Sequence, residues 1–328
     1  MGNLNCCQEN KYRNEDNNKI YQINRTKYSK KNKEKEDLND KCEILSYDIE
    51  ENILLKYYIK IPILKSLKGI SELNLNSKLY LCGNSSLNDD SSSYLFQLNF
   101  KDLSTKILVN SKYCHYFPSL IAINNDKIIC IGGKKHVECE IYDINIDHWT
   151  LMPDLPEERY KSTLCYDYKN KYLYLFGGIN SEKRNKKYIE KDNFLRISSK
   201  NYSFPIWEKI FLETKIENKL LNRISSATIF LGDYIIIIGG QNEEGKKLKN
   251  ISKFDVDKYR IESSGHQLEF PAKFINYNIL VDYKYNFINE KNFFYLFDSD
   301  NNIHIINKQQ YITNLDNDDL QINITSPT

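Results

Sequence analysis

The segment Met-Gly-Asn-Leu-Asn-Cys-Cys at residues 1–7 carries groups suited to lipid attachment. Removal of Met1 exposes Gly2, the acceptor of N-myristoylation, although Cys6 stands where the usual pattern has Ser or Thr. Cys6 and Cys7 are candidates for palmitoylation beside the same membrane surface. One myristoyl chain holds a protein on a bilayer only marginally, and a second signal makes the attachment stable. We therefore predict lipidation at Gly2, Cys6 and Cys7.

Basic side chains after these cysteines supply a further membrane signal. Seven positive charges between residues 19 and 35 stand against one negative charge, Glu34. They are Lys19, Arg25, Lys27, Lys30, Lys31, Lys33 and Lys35. Each basic residue near an anionic leaflet contributes about 1 kcal/mol. Residues 1–41 show almost no apolar periodicity, so we expect a disordered, basic, acylated tail. The alternative is a plain polar tail in which Gly2 is incidental.

The other titratable side chains show no spacing typical of catalysis. No CxxC pair occurs, and no P-loop, GxSxG or HExxH motif is present. Of the five histidines only His115 and His136 could approach each other, at opposite ends of one strand pair. Cys82, Cys130 and Cys165 lie in apolar runs, where a free cysteine behaves as a small buried hydrophobe. We expect no catalytic residue, no metal site and no cofactor.

Composition excludes several classes of protein. No run of about 18 apolar residues is present, so no segment is predicted to span a bilayer. A net charge of +2 is too small for a general DNA-binding protein, and 41% hydrophobic residues are too many for a disordered chain. With 25 Tyr and 15 Phe against 2 Met, the composition favours strands. No secretory segment precedes the cysteines, so we expect reduced thiols and a cytoplasmic location.

Short apolar runs recur from residue 42 onward, and three of them end in a glycine pair. The runs are IICIGG at 128–133, YLYLFGG at 172–178 and YIIIIGG at 234–240, with weaker copies KLYLCGN at 78–84 and NFFYLFDS at 292–299. Such self-similarity at a regular period indicates a repeat architecture.

Other residues recur in the same order after these glycines. Tyr142-Asp143 is an aromatic residue followed by an acid, and Trp149 comes six residues after that acid. Trp207 holds the same repeat position, and the chain has no other tryptophan. Large aromatic residues at a repeated position supply contact area between repeats, so we expect Tyr142, Trp149 and Trp207 in the core. A Met-Pro pair and Arg159 complete the unit.

This order of strand, Gly-Gly, Tyr-Asp, Trp, Met-Pro and Arg resembles the kelch repeat, most closely at 118–160. The resemblance covers residues 42–325 and implies an all-β, kelch-type β-propeller, in which four-stranded blades bury one another's faces. At about 50 residues per unit, this length predicts six blades, with five or seven as alternatives. The segment 44–62 looks like the last two strands of a blade whose missing strands come from the C-terminus, at Leu320–Thr325.

Candidate binding residues cluster at one end of the predicted ring, which we call the mouth. In an antiparallel blade, the loop after the glycine pair and the loop between blades lie at this end, and such loops commonly carry binding. Kelch adaptors often read acidic peptides with arginines at this repeat position, so the resemblance implies an acidic partner for Arg159 and Arg223. Acids in the same loops leave a solvated, mixed-charge surface as the alternative. The predicted binding residues are Lys134, Lys135, His136, Arg159, Arg184, Lys187, Arg223, Lys246 and Lys247.

These features predict a non-enzymatic protein-binding scaffold or adaptor, held on the cytoplasmic face of a membrane by its acylated tail. The expected partners are a protein with an acidic peptide segment and an anionic membrane surface, and no nucleic acid. A cytoskeletal or structural kelch protein without a lipid anchor is the alternative. A propeller enzyme such as a copper sugar oxidase or an epimerase is a third, which the scattered histidines disfavour.

Overall fold

The computed structural model describes residues 19–23, 41–49, 51–60, 69–76, 78–84, 93–181, 194–200, 205–212, 223–274, 293–307 and 311. The regular secondary structure of this part of the chain is almost entirely β-strand, as the composition predicted. No helix within it is long and apolar enough to cross a membrane.

Five antiparallel sheets form the blades of a β-propeller, which confirms the predicted all-β propeller fold. Blade 1 contains β1 (Lys19–Ile23), β2 (Lys41–Asp48) and β3 (Ile53–Lys60). Blade 2 contains β4 (Ile70–Leu75), β5 (Lys78–Gly83), β6 (Tyr94–Asn99) and β7 (Thr105–Ile107). Blade 3 contains β8 (Ser119–Ile123), β9 (Lys127–Gly133), β10 (His136–Asp143) and β11 (His148–Met152). Blade 4 contains β12 (Thr163–Asp167), β13 (Tyr172–Phe176), β14 (Phe194–Ser198) and β15 (Glu208–Ile210). Blade 5 contains β16 (Ala227–Leu231), β17 (Tyr234–Ile238), β18 (Leu248–Asp255) and β19 (Arg260–Ala272). A separate two-stranded sheet contains β20 (Phe293–Phe297) and β21 (Ile303–Asn307).

The blades bury both of their faces against neighbours, and β9 shows why its sequence is continuously apolar. Side chains alternate between the two faces of a strand. Ile128 and Cys130 pack against blade 2, whereas Ile129 and Ile131 pack against blade 4. A strand that is buried on both faces therefore shows no polar alternation.

The tryptophans join consecutive blades, as expected of core residues. Trp149 lies opposite Tyr142 in the sheet, and the two ring centroids are 5.2 Å apart. Trp149 Nε1 donates to Val109 O of blade 2 at 2.7 Å, and Trp207 Nε1 donates to Pro153 O of blade 3 at 3.0 Å. Tyr142 is 1% exposed and both tryptophans are 8% exposed, so their predicted burial is confirmed. The thiols of Cys82, Cys130 and Cys165 are likewise buried.

Blade 1 repeats the motif of blade 3. Tyr47 Oη donates to Asn52 Oδ1 at 2.5 Å, just as Tyr142 Oη donates to Asp147 Oδ1 at 2.6 Å. By this correspondence β2 and β3 are the third and fourth strands of blade 1, as predicted for residues 44–62. The blade's second strand is then β1, which pairs with β2.

The position of β1 corrects the prediction that residues 1–41 form one flexible tail. Lys19–Ile23 is a strand of blade 1, because Tyr21 and Ile23 are buried in the apolar cluster that joins blades 1 and 2. Asn74 Nδ2 of blade 2 donates to Tyr21 O at 2.8 Å. The segment Leu320–Thr325, predicted to complete this blade, lies outside the described residues.

The two-stranded sheet lies between blade 5 and blade 1. Leu296 belongs to the apolar cluster of blade 5, whereas Phe297 packs with Tyr47 of blade 1. Gln22 Nε2 of blade 1 donates to Asp298 O at 2.8 Å, in the turn after β20. This sheet therefore bridges the last and the first blade.

Candidate functional site

One backbone contact repeats around the mouth of the propeller. At the end of the second strand of blades 2 to 5, the chain that leads toward the next sheet places one residue against Gly83-Asn84 or against the glycine pair of that blade. These residues are His115, Arg159, Arg223 and Ala272, the last of which ends β19. Asn84 N donates to His115 O at 2.7 Å, and Gly133 N donates to Arg159 O at 3.1 Å. Gly240 N donates to Ala272 O at 2.8 Å. At Gly177 (φ +56°), a Cβ atom would lie 2.0 Å from the carbonyl oxygen of Arg223. The glycines are therefore required because neighbouring backbone passes where a side chain would be.

Arg223 is buried in the sheet rather than exposed at the mouth. Its guanidinium donates to Gly239 O at 3.2 Å, Asn250 O at 3.3 Å and Ser252 Oγ at 2.7 Å. The residue is 4% exposed, and this burial lowers the pKa of Arg223 to about 10, so it remains charged at neutral pH. The side chain therefore connects the loop between blades 4 and 5 to Gly239, in the glycine pair of blade 5.

Arg159 occupies the same position in blade 4 and is 0% exposed. Burial lowers the pKa of Arg159 to about 10, and Glu157, whose Oε1 lies 3.6 Å from Nη2, opposes that fall. A Cβ atom at Gly178 would lie 2.7 Å from Arg159 Cγ, so the arginine stem fills the space that the glycine leaves. The prediction that Arg159 and Arg223 are presented to an acidic peptide at the open mouth is therefore wrong. Both side chains are buried in the protein interior.

His115 takes the arginine position in blade 3. Its Nδ1 lies 2.7 Å from Gly132 O, and its Nε2 lies 3.0 Å from Glu140 Oε2. Glu140 also accepts from the backbone amides of Lys112 at 2.9 Å and Tyr113 at 3.1 Å. His115 and Glu140 are both 0% exposed, so this network is structural.

The remaining described members of the predicted set lie near the surface of the mouth. Lys135 and Lys246 are exposed, and Lys134 is half-buried with its amide donating to Tyr116 O at 2.7 Å. Lys247 forms an ion pair with Asp300. His115 and His136 have separate partners, because His136 Nδ1 lies 3.3 Å from Glu138 Oε2 whereas the His115 ring contacts Gly132 O and Glu140. Arg184, Lys187, Gly2, Cys6 and Cys7 lie outside the described residues.

Two further mouth residues were not predicted, Phe117 and Lys161. Phe117 is half-buried, and Lys161 Nζ lies 5.4 Å from the centroid of its ring. Both have positive φ, +59° and +55°, which is rare for bulky residues. Phe117 N donates to Gly69 O at 2.8 Å and Ser225 N donates to Lys161 O at 3.1 Å, so hydrogen bonds between blades hold this backbone. No residue type in this turn signals such a conformation, so sequence patterns could not find the site.

The charges at blades 3 and 4 are unbalanced at the surface. Three of the nearby carboxylates have internal partners, since Glu138 faces His136, Glu157 faces Arg159 and Glu158 accepts from the Ser181 hydroxyl, whereas Asp154 is exposed. We call the cations on this side of the mouth the cationic arc: Lys112, Lys134, Lys135 and Lys161. At blade 5, by contrast, exposed Glu243 and Glu244 stand beside Lys246.

A cavity of about 220 Å³ lies between blades 4 and 5, with Tyr172, Tyr174, Arg196 and Tyr259 in its wall. The Arg196 guanidinium carbon lies 4.5 Å from the Tyr172 centroid and 5.2 Å from the Tyr259 centroid. Arg196 Nε donates to Glu208 Oε2 at 2.7 Å, and burial raises the pKa of Tyr174. The guanidinium thus already stacks on two of the rings. Within the described ranges no group of three His, Cys, Asp or Glu side chains could hold a metal ion.

No known protein-family model matches the chain, and no curated protein matches it. The propeller assignment therefore depends on the sheets and on the contacts that repeat between them.

Proposed function

We propose that the chain is a kelch-type propeller with six blades, of which the two-stranded sheet β20–β21 is part of the last. A backbone hydrogen bond between successive blades supports this count. Phe117 N donates to Gly69 O at 2.8 Å and Ser225 N to Lys161 O at 3.1 Å. Phe274 N repeats the contact with Ser225 O at 2.8 Å, one step beyond blade 5. The series therefore favours one further blade before the ring returns to blade 1.

We further propose that this propeller is a non-enzymatic scaffold or adaptor that binds an acidic segment of a protein partner at its mouth. The observation that carries the proposal is the cationic arc of four lysines, beside which Glu138, Glu157 and Glu158 are engaged internally and Asp154 is the exposed carboxylate. Complementary charge speeds association and selects acidic partners. The half-buried ring of Phe117 adds an apolar contact beside Lys161. A structural or cytoskeletal role without a lipid anchor remains the second candidate, and it uses the same surface.

Charge reversal at the mouth tests the binding proposal. Lys134→Glu with Lys135→Glu changes two lysines of the cationic arc. The matched control is Lys101→Glu with Lys258→Glu, two exposed lysines in turns between third and fourth strands, at the opposite end of the ring. Affinity purification should recover partners with wild type and control but not with the mouth variant. Equal recovery by both double variants contradicts the proposal.

We also propose that residues 1–18, with lipid on Gly2 and a candidate palmitate on Cys6 or Cys7, tether the propeller to the cytoplasmic face of a membrane. The Gly2 and cysteine pattern supports this. Because β1 begins at Lys19, the other six residues of the basic cluster lie in the sequence between β1 and β2. Intact mass and membrane fractionation of wild type and Gly2→Ala test the tether. An unmodified Gly2, or an unchanged membrane fraction for Gly2→Ala, contradicts it.

A further inference from the structure

The fourth strand of blade 1 begins with three consecutive exposed aliphatic residues. Ile53 is 46% exposed, Leu54 is 41% exposed and Leu55 is 40% exposed. Runs of exposed apolar residues on a folded surface mark a contact site or a defect. The outer strands of blades 2 to 5 contain no such run.

Leu54 occupies a position that is buried in other blades. The aromatic residue of the repeat lies on the third strand and pairs with one residue of the fourth strand. Tyr142 faces Trp149 in blade 3, Phe254 faces Ile261 in blade 5, and Tyr47 faces Leu54 in blade 1. These fourth-strand residues are 8%, 2% and 41% exposed respectively, so blade 1 lacks a cover that the other two have.

In blades 3, 4 and 5 the cover is the chain that leaves the last strand of the preceding blade. Trp149 binds Val109 O, two residues after β7, and Trp207 binds Pro153 O, one residue after β11. Leu212, two residues after β15, packs in the cluster that contains Ile261. The rule holds at three successive junctions.

At blade 1 the preceding sheet is β20–β21, because Phe297 packs with Leu45 and Tyr47. The chain that leaves this sheet runs from residue 308 to residue 328, and within it the structure describes Tyr311, which is buried against blade 5. We propose that residues 312–328 dock on the apolar corner formed by Ile53, Leu54 and Leu55, and so join the end of the chain to blade 1.

The C-terminal segment has suitable chemistry and reach. Its apolar residues are Ile312, Leu315, Leu320, Ile322 and Ile324. Fully extended, it spans about 55 Å at roughly 3.3 Å per residue. That is more than three times the width of a four-stranded blade, whose strands lie about 4.8 Å apart. The proposal is independent of the acidic partner and of the lipid anchor.

A photo-crosslinker placed at residue 54 of the full chain tests the occupant of this corner. Benzoylphenylalanine replaces Leu54 in one variant and Ile146, which is 68% exposed, in the control. Trypsin releases residues 309–328 as a single peptide, because no Lys or Arg follows Lys308. We expect an intramolecular crosslink from position 54 to this peptide and none from position 146. A crosslink to a second copy, to added phosphatidylserine vesicles or to another segment, or no crosslink at all, overturns the proposal.

A second comparison separates docking from chance proximity. Ile322→Asp with Ile324→Asp should abolish the crosslink from position 54, whereas Asn323→Asp, which adds charge without removing an apolar side chain, should leave most of it. Hydrogen exchange of β3 should also accelerate in the Ile322→Asp/Ile324→Asp variant, while exchange of β7 stays unchanged. Retention of the crosslink and of β3 protection in that variant overturns the proposal.

Discussion

Replacement of Arg223 by alanine tests whether this side chain stabilises the propeller or binds an acidic partner. The guanidinium is buried and donates to two backbone carbonyls and to Ser252 Oγ. Alanine removes these donors and leaves the carbonyls of Gly239 and Asn250 without the donations that Arg223 supplied. A destabilised fold is therefore the expected primary effect.

The size of the effect follows from two opposing contributions. Three hydrogen bonds from a charged donor contribute about 6 kcal/mol in total, at about 2 kcal/mol each. Burial opposes this, because lowering the pKa of Arg223 from 12.5 to about 10 corresponds to about 3 kcal/mol. We therefore expect Arg223→Ala to lower the free energy of unfolding by about 3 kcal/mol.

Urea unfolding followed by tryptophan fluorescence measures this loss, because Trp149 and Trp207 are buried at junctions between blades. The matched control is Arg260→Ala, whose guanidinium is 54% exposed beside Glu262 and should change stability by about 0.5 kcal/mol or less. A loss below about 1 kcal/mol for Arg223→Ala would refute the structural role. Unchanged stability with lost partner binding would instead restore the peptide-reading role.

Three further predictions concern the loops and the last sheet. Gly177→Ala should lower the free energy of unfolding in urea by about 3 kcal/mol or more, because its Cβ would lie 2.0 Å from a backbone oxygen. The control Gly265→Ala, with no atom within 4 Å of its Cβ, should lower it by only about 1 kcal/mol because of its positive φ. Glu140→Ala should cost about 3 kcal/mol in the same assay, because it leaves a buried imidazole and two amides without their acceptor, and an unchanged midpoint contradicts this. Burial alone raises the pKa of Asp298, but hydrogen bonds from His304 and neighbouring groups outweigh it and hold the pKa below its ordinary value of 3.8. Its stabilisation is therefore present above pH 3.8 and is lost as pH falls further, so Asp298→Asn should be less stable than wild type at pH 7, by a margin that shrinks as the pH falls below 3.8. A difference that stays the same across this range contradicts the prediction.

The sequence predicted those features that depend on one repeated local pattern. The glycine pairs identified the second strands, because backbone from the next blade approaches them too closely for a side chain. Trp149 and Trp207 identified the contacts between blades for a similar reason, since each fills the same position against the preceding blade. The fold class and the core aromatics were therefore predictable.

Other features depend on what surrounds a residue, which the pattern does not encode. Arginine is a residue type typical of surface sites that bind anions. The carbonyl oxygens that accept hydrogen bonds from Arg223 come together only in the folded protein. The strand Lys19–Ile23 lacks a following glycine pair and is flanked by charged residues, so nothing local distinguishes it from a tail. Phe117 adopts positive φ because a neighbouring blade holds its amide, which is a tertiary effect.

The most direct test of the proposed binding surface is the affinity of the purified full chain for a fluorescein-labelled octa-glutamate probe, measured by anisotropy at increasing salt. The account predicts binding that weakens as salt screens the charges. It also predicts that Lys134→Glu with Lys135→Glu weakens binding by about tenfold or more, while Lys101→Glu with Lys258→Glu retains it. Absence of binding, or the same affinity for both double variants, would contradict the claim that the cationic arc recognises an acidic partner.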